Sequence, residues 1–146
     1  MKITYKGDYA LKTVLELALH YGDRVETISK LSSRLDIPEK FLEQILRELK
    51  RGGFVESKRG SVGGYFLARH PSQIKLGEVV RFMEGAIEPI ACVDEGYKGC
   101  QEINSCVFRR IWKDVTKKTE EVIDSVSFED LVNEIRSKKK LLIYTI

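Results

Sequence analysis

Apolar residues recur at helical spacing along most of the chain, and one stretch breaks that pattern. Between Thr4 and Tyr21, the residues Tyr9, Leu11, Val14, Leu15, Ala18 and Leu19 crowd most of a helical circumference. A helix apolar nearly all round is covered on more than one side, and Gly22-Asp23 stops this one. Ile28, Leu31 and Leu35 then repeat at i, i+3 and i+7, with Thr27 placed as an N-cap. Asp36-Ile37-Pro38 breaks that second helix, because the residue before a proline avoids the helical region. Leu42, Ile45, Leu46 and Leu49 form the stripe of a third helix, which Gly52-Gly53 ends where glycine is favoured. The pattern then changes. Phe54 to Arg59 and Tyr65 to Ala68 read as two short strands joined by Gly60-Ser61-Val62-Gly63-Gly64. Two helices with a tight turn, followed by a basic hairpin, make a winged helix-turn-helix, a layout suited to reading DNA.

Beyond the wing, Ile74, Leu76, Val79, Val80 and Met83 predict a short helix ended by Gly85. Pro89-Ile90-Ala91 reads as extended, and Cys92 to Cys106 has no apolar period and reads as loop. A long helix follows from near Cys106, with Phe108, Ile111, Trp112, Val115, Thr119, Val122, Ile123 and Val126 on one face. At 1.5 Å per residue it spans roughly 30 Å. The chain offers too little of its own to cover such a face, so the seam is assigned to a homodimer rather than to the protomer's core. Ser127-Phe128-Glu129-Asp130 resembles a capping box with Asp in place of Glu, opening a short helix through Leu131, Val132 and Ile135. Arg136, Lys138, Lys139 and Lys140 suit a helix C-terminus or a solvated end. Leu141 to Ile146 is an apolar tail readable as a strand, a dimer arm or a disordered end.

The predicted fold class is therefore mainly α with a small β-hairpin wing: a winged helix-turn-helix domain plus a long dimerisation helix. Residues 1–85 make the DNA-binding domain. Residues 86–146 carry the cysteine loop (92–106), the dimerisation helix and the tail.

The chain has 146 residues, enough for one good core or a small domain with an appendage. No apolar run approaches the ~20 residues of a membrane helix, and the N-terminus lacks a signal-peptide core, so a cytoplasmic protein with no membrane partner is expected. In that reducing compartment three cysteines point to ligands or redox thiols before structural disulfides. A net charge of +3 is too mild to reveal a partner, but its distribution is uneven. Residues 26–69 hold nine basic and six acidic groups, whereas residues 84–106 set Glu84, Glu88, Asp94, Glu95 and Glu102 against Lys98 alone. A basic patch beside an acidic cysteine loop suggests two separate jobs.

In helix-turn-helix motifs the second helix enters the major groove, and here its outward face offers Lys40, Glu43, Gln44 and Arg47. Gln pairs with adenine, Arg with guanine, and Glu accepts from the cytosine amino group. An ordinary solvated face with a Glu43–Arg47 pair would look similar; the wing at the expected place favours DNA. Arg59 at the hairpin tip suits the minor groove or a phosphate, and Gly60, Gly63 and Gly64 permit positive φ and close backbone approach. A nucleotide loop is disfavoured because Gly-Lys-Ser/Thr is missing and a strand follows. A Gly-x-x-Gly RNA clamp fits poorly between strands. Nothing resembles a catalytic dyad or substrate-pocket motif, so no enzyme is expected.

Cys92, Cys100 and Cys106 have seven and five residues between them, unlike the Cys-x-x-Cys spacing of zinc ribbons or ferredoxins. Three thiolates on one loop can converge on a soft metal or a cluster; a redox thiol pair and three unconnected cysteines are the competing readings.

Several segments together resemble a known family. They are Thr4-Tyr5-Lys6-Gly7-Asp8-Tyr9-Ala10, Phe41-Leu42-Glu43-Gln44, Arg59-Gly60-Ser61-Val62-Gly63-Gly64-Tyr65, Gly77-Glu78-Val79-Val80 and the three cysteines. The chain to about Ile135 resembles the IscR/NsrR/CymR family of bacterial winged-helix regulators, and its IscR-like branch most. The resemblance implies a homodimer on double-stranded DNA with a palindromic operator, and Glu43 and Arg59 among its DNA-site residues. It also implies an iron–sulfur cluster on Cys92, Cys100 and Cys106, of 2Fe–2S type, with 4Fe–4S as the alternative. By the same likeness the protein would repress cluster-biogenesis genes, sensing cluster or redox status; a cluster-free thiol switch is the alternative. One position departs from the pattern. Where the IscR-like branch has a ligating histidine, this chain has Arg109, which cannot ligate iron. The resemblance offers Asp8 as the fourth ligand, from the partner's first helix, with Asp94, Glu95 and Glu102 as local alternatives.

Overall fold

The computed structural model describes residues 1–23 and 25–145. Six helices and one hairpin follow in the order α1 (Tyr5–Leu19), α2 (Ile28–Leu35), α3 (Glu39–Arg51), β1 (Val55–Lys58), β2 (Gly64–Leu67), α4 (Leu76–Glu84), α5 (Val107–Ser125) and α6 (Phe128–Thr145). The winged helix-turn-helix layout and the mainly helical class match the sequence reading.

Local chemistry sets the ends. Thr4 and Thr27 cap α1 and α2, their hydroxyls accepting from Gly7 N and Lys30 N. The α2–α3 turn owes its shape to more than the proline. Asp36 adopts the left-handed conformation (φ 54°), and Ile37 N donates to Ser32 O while the Ser32 hydroxyl donates to Ile37 O at 2.6 Å. Asp is among the few non-glycine residues that tolerate that region. Ser127 and Asp130 form the reciprocal cap at the start of α6: Ser127 N donates to Asp130 Oδ2 at 2.8 Å, and Asp130 N to the Ser127 hydroxyl at 3.1 Å. The Ser127 backbone N–H, and then its hydroxyl, hold the Asp130 carboxyl below the usual aspartate range. A lowered carboxyl contributes stability above its ordinary titration range, and that contribution is lost as pH falls through the lowered value.

α1 is the centre of the head. Ala10, Val14, Leu17 and Ala18 are buried against α2, α3, β2, α4 and α6, where they join Leu31, Leu42, Leu46, Leu49, Val79 and Phe128. Full burial of one such side chain contributes about 1.5–3 kcal/mol. The hairpin pairs antiparallel with Val55 opposite Leu67 and Lys58 opposite Gly64. Glu26 adds a one-residue edge to it, exchanging two 2.8 Å backbone bonds with Tyr65. The carbonyl of Glu26 lies 2.5 Å from where a Cβ on Gly64 would stand, so glycine is required there.

Several boundaries move from their sequence reading. β1 is one residue shorter at each end, its start delayed because Phe54 N is bonded back to Leu49 O at the end of α3, and β2 keeps its length but begins one residue earlier, at Gly64. Ala91 starts a single 3-10 turn through Val93 rather than continuing the extended segment. The last helix is not short: α6 runs unbroken through Lys138, Lys139 and Lys140 to Thr145, so the strand and disordered readings of the tail do not hold, and an arm to a partner would be helical. Lysine and leucine are both good helix formers, and an established helix propagates through them without needing a packed face. Ile146 lies outside the described residues. Among the described residues no helix is long and apolar enough to cross a membrane.

Candidate nucleic-acid interface and cysteine loop

The four residues read as a DNA-facing set are all exposed on α3. Arg47 lies 3.1 Å from Glu43, an i,i+4 pair that leaves both groups in solvent. Such a pair is worth a few tenths of a kcal/mol, so DNA could open it at little cost (~0.3–0.5 kcal/mol). Burial of Leu42, Ile45, Leu46 and Leu49 turns Lys40, Glu43, Gln44 and Arg47 outward. Phe41 is also exposed beside them. Sequence reading quotes it only as part of the Phe41–Gln44 segment and gives it no role; its signal is an apolar residue off the Leu42–Leu49 stripe.

The wing starts directly after α3, and Lys50 Nζ donates to the Ser57 hydroxyl at 2.6 Å, tying helix to strand. Arg59 follows the last residue of β1 and is exposed, and Gly60 after it has φ 116°. That angle lies in a region L side chains rarely adopt, so the turn that presents Arg59 depends on glycine. Arg59→Ala is expected to weaken operator binding by about 1–3 kcal/mol and to flatten its salt dependence. A gel-shift titration at two salt concentrations checks both, and unchanged binding would remove Arg59 from the interface.

The wing is anchored by a charged knot that sequence reading missed. Glu26 is 1% exposed, and its Oε2 lies 3.2 Å from Arg34 Nη1, which also reaches Glu16 at 3.2 Å. His20 sits 3.2 Å from Glu16 and 3.8 Å from Glu26. These residues belong to α1, α2 and the wing edge and come together only in the folded chain.

The cysteine loop sits at the other end of the molecule's connectivity. Cys92 is half-buried in the 3-10 turn, Cys100 is exposed, and Cys106 is half-buried at the position preceding α5; all three are free thiols. Among the described residues no three His, Cys, Asp or Glu side chains are gathered as a metal site. The lone chain therefore supplies the donors without assembling them. In kind they suit iron–sulfur ligation, being three reduced thiols with no disulfide between them. Asp8 lies in the first turn of α1, half-buried, with Lys12 Nζ 2.6 Å from its carboxylate. That hydrogen bond raises the Lys12 amine above its usual value. Among the described residues Asp8 belongs to no gathered set of three such ligands.

α4 connects the two regions. Arg81 makes a two-pronged contact with Asp124 of α5 (2.7 and 2.8 Å) and reaches Glu120 at 3.4 Å. Hydrogen bonding to Arg81 holds the Asp124 carboxyl below its usual range. Glu84 accepts from Thr4 N at 2.8 Å and from the Thr4 hydroxyl at 2.7 Å, bracing the start of α1. Phe82 packs edge-on against Phe54, where α3 gives way to the wing.

The predicted seam on α5 is bare. Trp112 is 37% exposed and Val122 64%, and Phe108, Ile111 and Val115 lie open beside them; Thr116 alone of the helix is buried. A single helix face with this much open apolar surface marks an interaction site.

The family model for Rrf2, described as iron-dependent transcriptional regulators, matches residues 3–134. The chain belongs to the Rrf2 family. Its curated relatives include the HTH-type transcriptional regulator IscR of Yersinia pseudotuberculosis serotype O:1b, 32% identical over 133 residues, 91% of this chain and 80% of that one. Among solved structures it resembles CymR, the global cysteine regulator of B. subtilis, with a TM-score of 0.78, 31% identity, and coverage of 92% of this chain and 98% of that one. It also resembles T. potens IscR, with a TM-score of 0.75, 31% identity, and coverage of 92% and 88%. This Rrf2 protein is a transcriptional regulator, and its relatives are regulators rather than enzymes.

Proposed function

We propose that this Rrf2 protein is a cytoplasmic, homodimeric DNA-binding repressor whose grip on a palindromic operator responds to an iron–sulfur cluster. In this reading residues 1–85 form the DNA-reading head, whose core α6 completes through Phe128 and Val132, and residues 86–146 carry the sensing loop and the dimerisation helix. Lys40, Glu43, Gln44 and Arg47 meet base edges, while Arg59 and Gly60 present the wing to the minor groove or the backbone. Cys92, Cys100 and Cys106 hold the cluster, 2Fe–2S by likeness to the IscR-named relatives, with Asp8 contributed across the dimer as the fourth ligand. The genes controlled would be those of cluster biogenesis.

One observation carries the reading: three free thiols lie on a loop that feeds directly into a helix with an uncovered apolar face. When bound, the cluster supplies a redox-active centre whose loss or oxidation can be read as a change in loop conformation. The chain's own residues do the rest. Arg81 links α5 to α4, and Glu84 and Phe82 link α4 to α1 and to the root of the wing. A rearrangement of the loop shifts DNA affinity only by as much as the two arrangements differ in free energy.

The likeness to CymR supports a second reading, a cluster-free thiol–disulfide switch on the same DNA-binding fold. Anaerobic purification separates the two. Coloured protein with iron, acid-labile sulfide and a paramagnetic signal on reduction is expected, with operator affinity that changes when a chelator strips the iron. A colourless protein whose operator binding responds to a thiol oxidant would replace the cluster with the switch. Operator binding indifferent to both treatments would overturn both readings.

A further inference from the structure

The guanidinium of Arg109 stands where the IscR-like pattern has a ligand, and its contacts give it a different job. It is nearly buried, with 14% of the side chain exposed. Its Nε donates to the Cys92 carbonyl at 2.6 Å, and its Nη2 reaches the Asp94 carbonyl and the Glu95 carboxylate, each at 3.4 Å. One α5 side chain thus holds three residues of the loop's first turn, Cys92, Asp94 and Glu95. Lys113, one turn further along α5, bonds to the same Glu95. Lys113 first, and Arg109 after it, hold the Glu95 carboxyl below the usual glutamate range. Arg109 also lines an open hollow of about 320 Å³ together with Ile103, Cys106 and Lys113. The same residue therefore touches the backbone of the first cysteine and borders the third.

We propose that Arg109 is a positioning residue that clasps the Cys92 end of the loop onto α5, fixing Cys92 relative to Cys106 before any metal arrives. A planar guanidinium suits this task, because its donors are fixed in direction and stay charged at every physiological pH. Lysine keeps the charge but not the fork. Cys100, whose neighbourhood is all exposed, is outside the clasp. The consequence for cluster loading rests on the reading above; the clasp itself does not.

The test uses the full-length, metal-free protein under reducing conditions, with iodoacetamide as the probe and mass spectrometry of each cysteine peptide. In the parent chain Cys92 is expected to react more slowly than Cys100. Arg109→Ala should raise the Cys92 rate about 3- to 10-fold, leave Cys100 unchanged and keep the thermal unfolding midpoint. Arg109→Lys should restore protection only in part, and Glu95→Gln, which spares the carbonyl contact, should leave Cys92 protected. An unchanged Cys92 rate in Arg109→Ala, or equal loss of protection in Glu95→Gln, would overturn the clasp. Iron analysis of the parent chain after anaerobic reconstitution is read separately: absence of iron removes the cluster reading and leaves the alkylation result to decide the clasp.

Discussion

Trp112→Asp is expected to leave the protein monomeric at micromolar concentration and to abolish tight operator binding. Trp112 lies at the middle of the bare face of α5, flanked by Phe108, Ile111 and Val115. In a dimer across this face its indole would be a central aromatic anchor, and truncation of such anchors costs about 2–4 kcal/mol. A carboxylate in its place adds the cost of burying an unpaired charge, so the loss in dimer affinity should exceed roughly 100-fold. Operator binding should fall with it, because the proposed palindromic operator needs two recognition helices held together. Sedimentation equilibrium and gel shift on the same preparation measure both effects. The helix itself should persist, since Trp112 is outside the core of the head. An unaltered dimer would mean that another surface joins the protomers.

Phe128→Ala should cost about 3–5 kcal/mol of folding stability, measured by urea unfolding. Phe128 is 0% exposed and heads the order of fully buried side chains by volume. It sits at the first turn of α6, where its backbone N–H donates to Ile74 O at 3.0 Å and Leu76 N donates to Val126 O at 2.9 Å. These two bonds staple the segment before α4 to the α5–α6 junction. Removing the ring leaves a cavity in the core that α1 and α6 share, which a stapled backbone cannot collapse to fill. Small domains have about 5–15 kcal/mol in total, so the variant should be marginal at physiological temperature. A change no larger than that of a surface substitution would show that α6 is dispensable to the head.

How much was legible beforehand depended on the range of the interaction. Thr27, Ser127 and Asp130 were readable because a cap bonds to a residue two or three positions away. The α3 stripe and the hairpin were readable because periodicity and glycine clusters are local. α6 was misjudged at its far end: three lysines resemble a helix terminus, while Leu141 to Thr145 carry no one-sided pattern, since nothing in the lone chain packs on them. Glu84 bracing Thr4, and Arg81 bracing Asp124, join residues far apart in sequence, and no local spacing announces them. For the candidate site, the three cysteines and the outward face of α3 were visible as residue types at set positions. Their assembly was not, because bringing thiols together depends on contacts beyond one chain's periodicity. Arg109 was visible only as a substitution, and its hold on the Cys92 carbonyl needed coordinates.

The edge contributed by Glu26 bears on how the hairpin meets a duplex. With its backbone paired to Tyr65 and its carboxylate buried beside Arg34, this residue ties the base of the beta-ribbon to α2. In the proposed DNA contact a ribbon braced in this way should surrender less conformational freedom at the groove than an unbraced one. Discrimination between operators should then come from the fit of a stiff surface to duplex shape, with narrow-grooved flanks favoured and deformable ones gaining little.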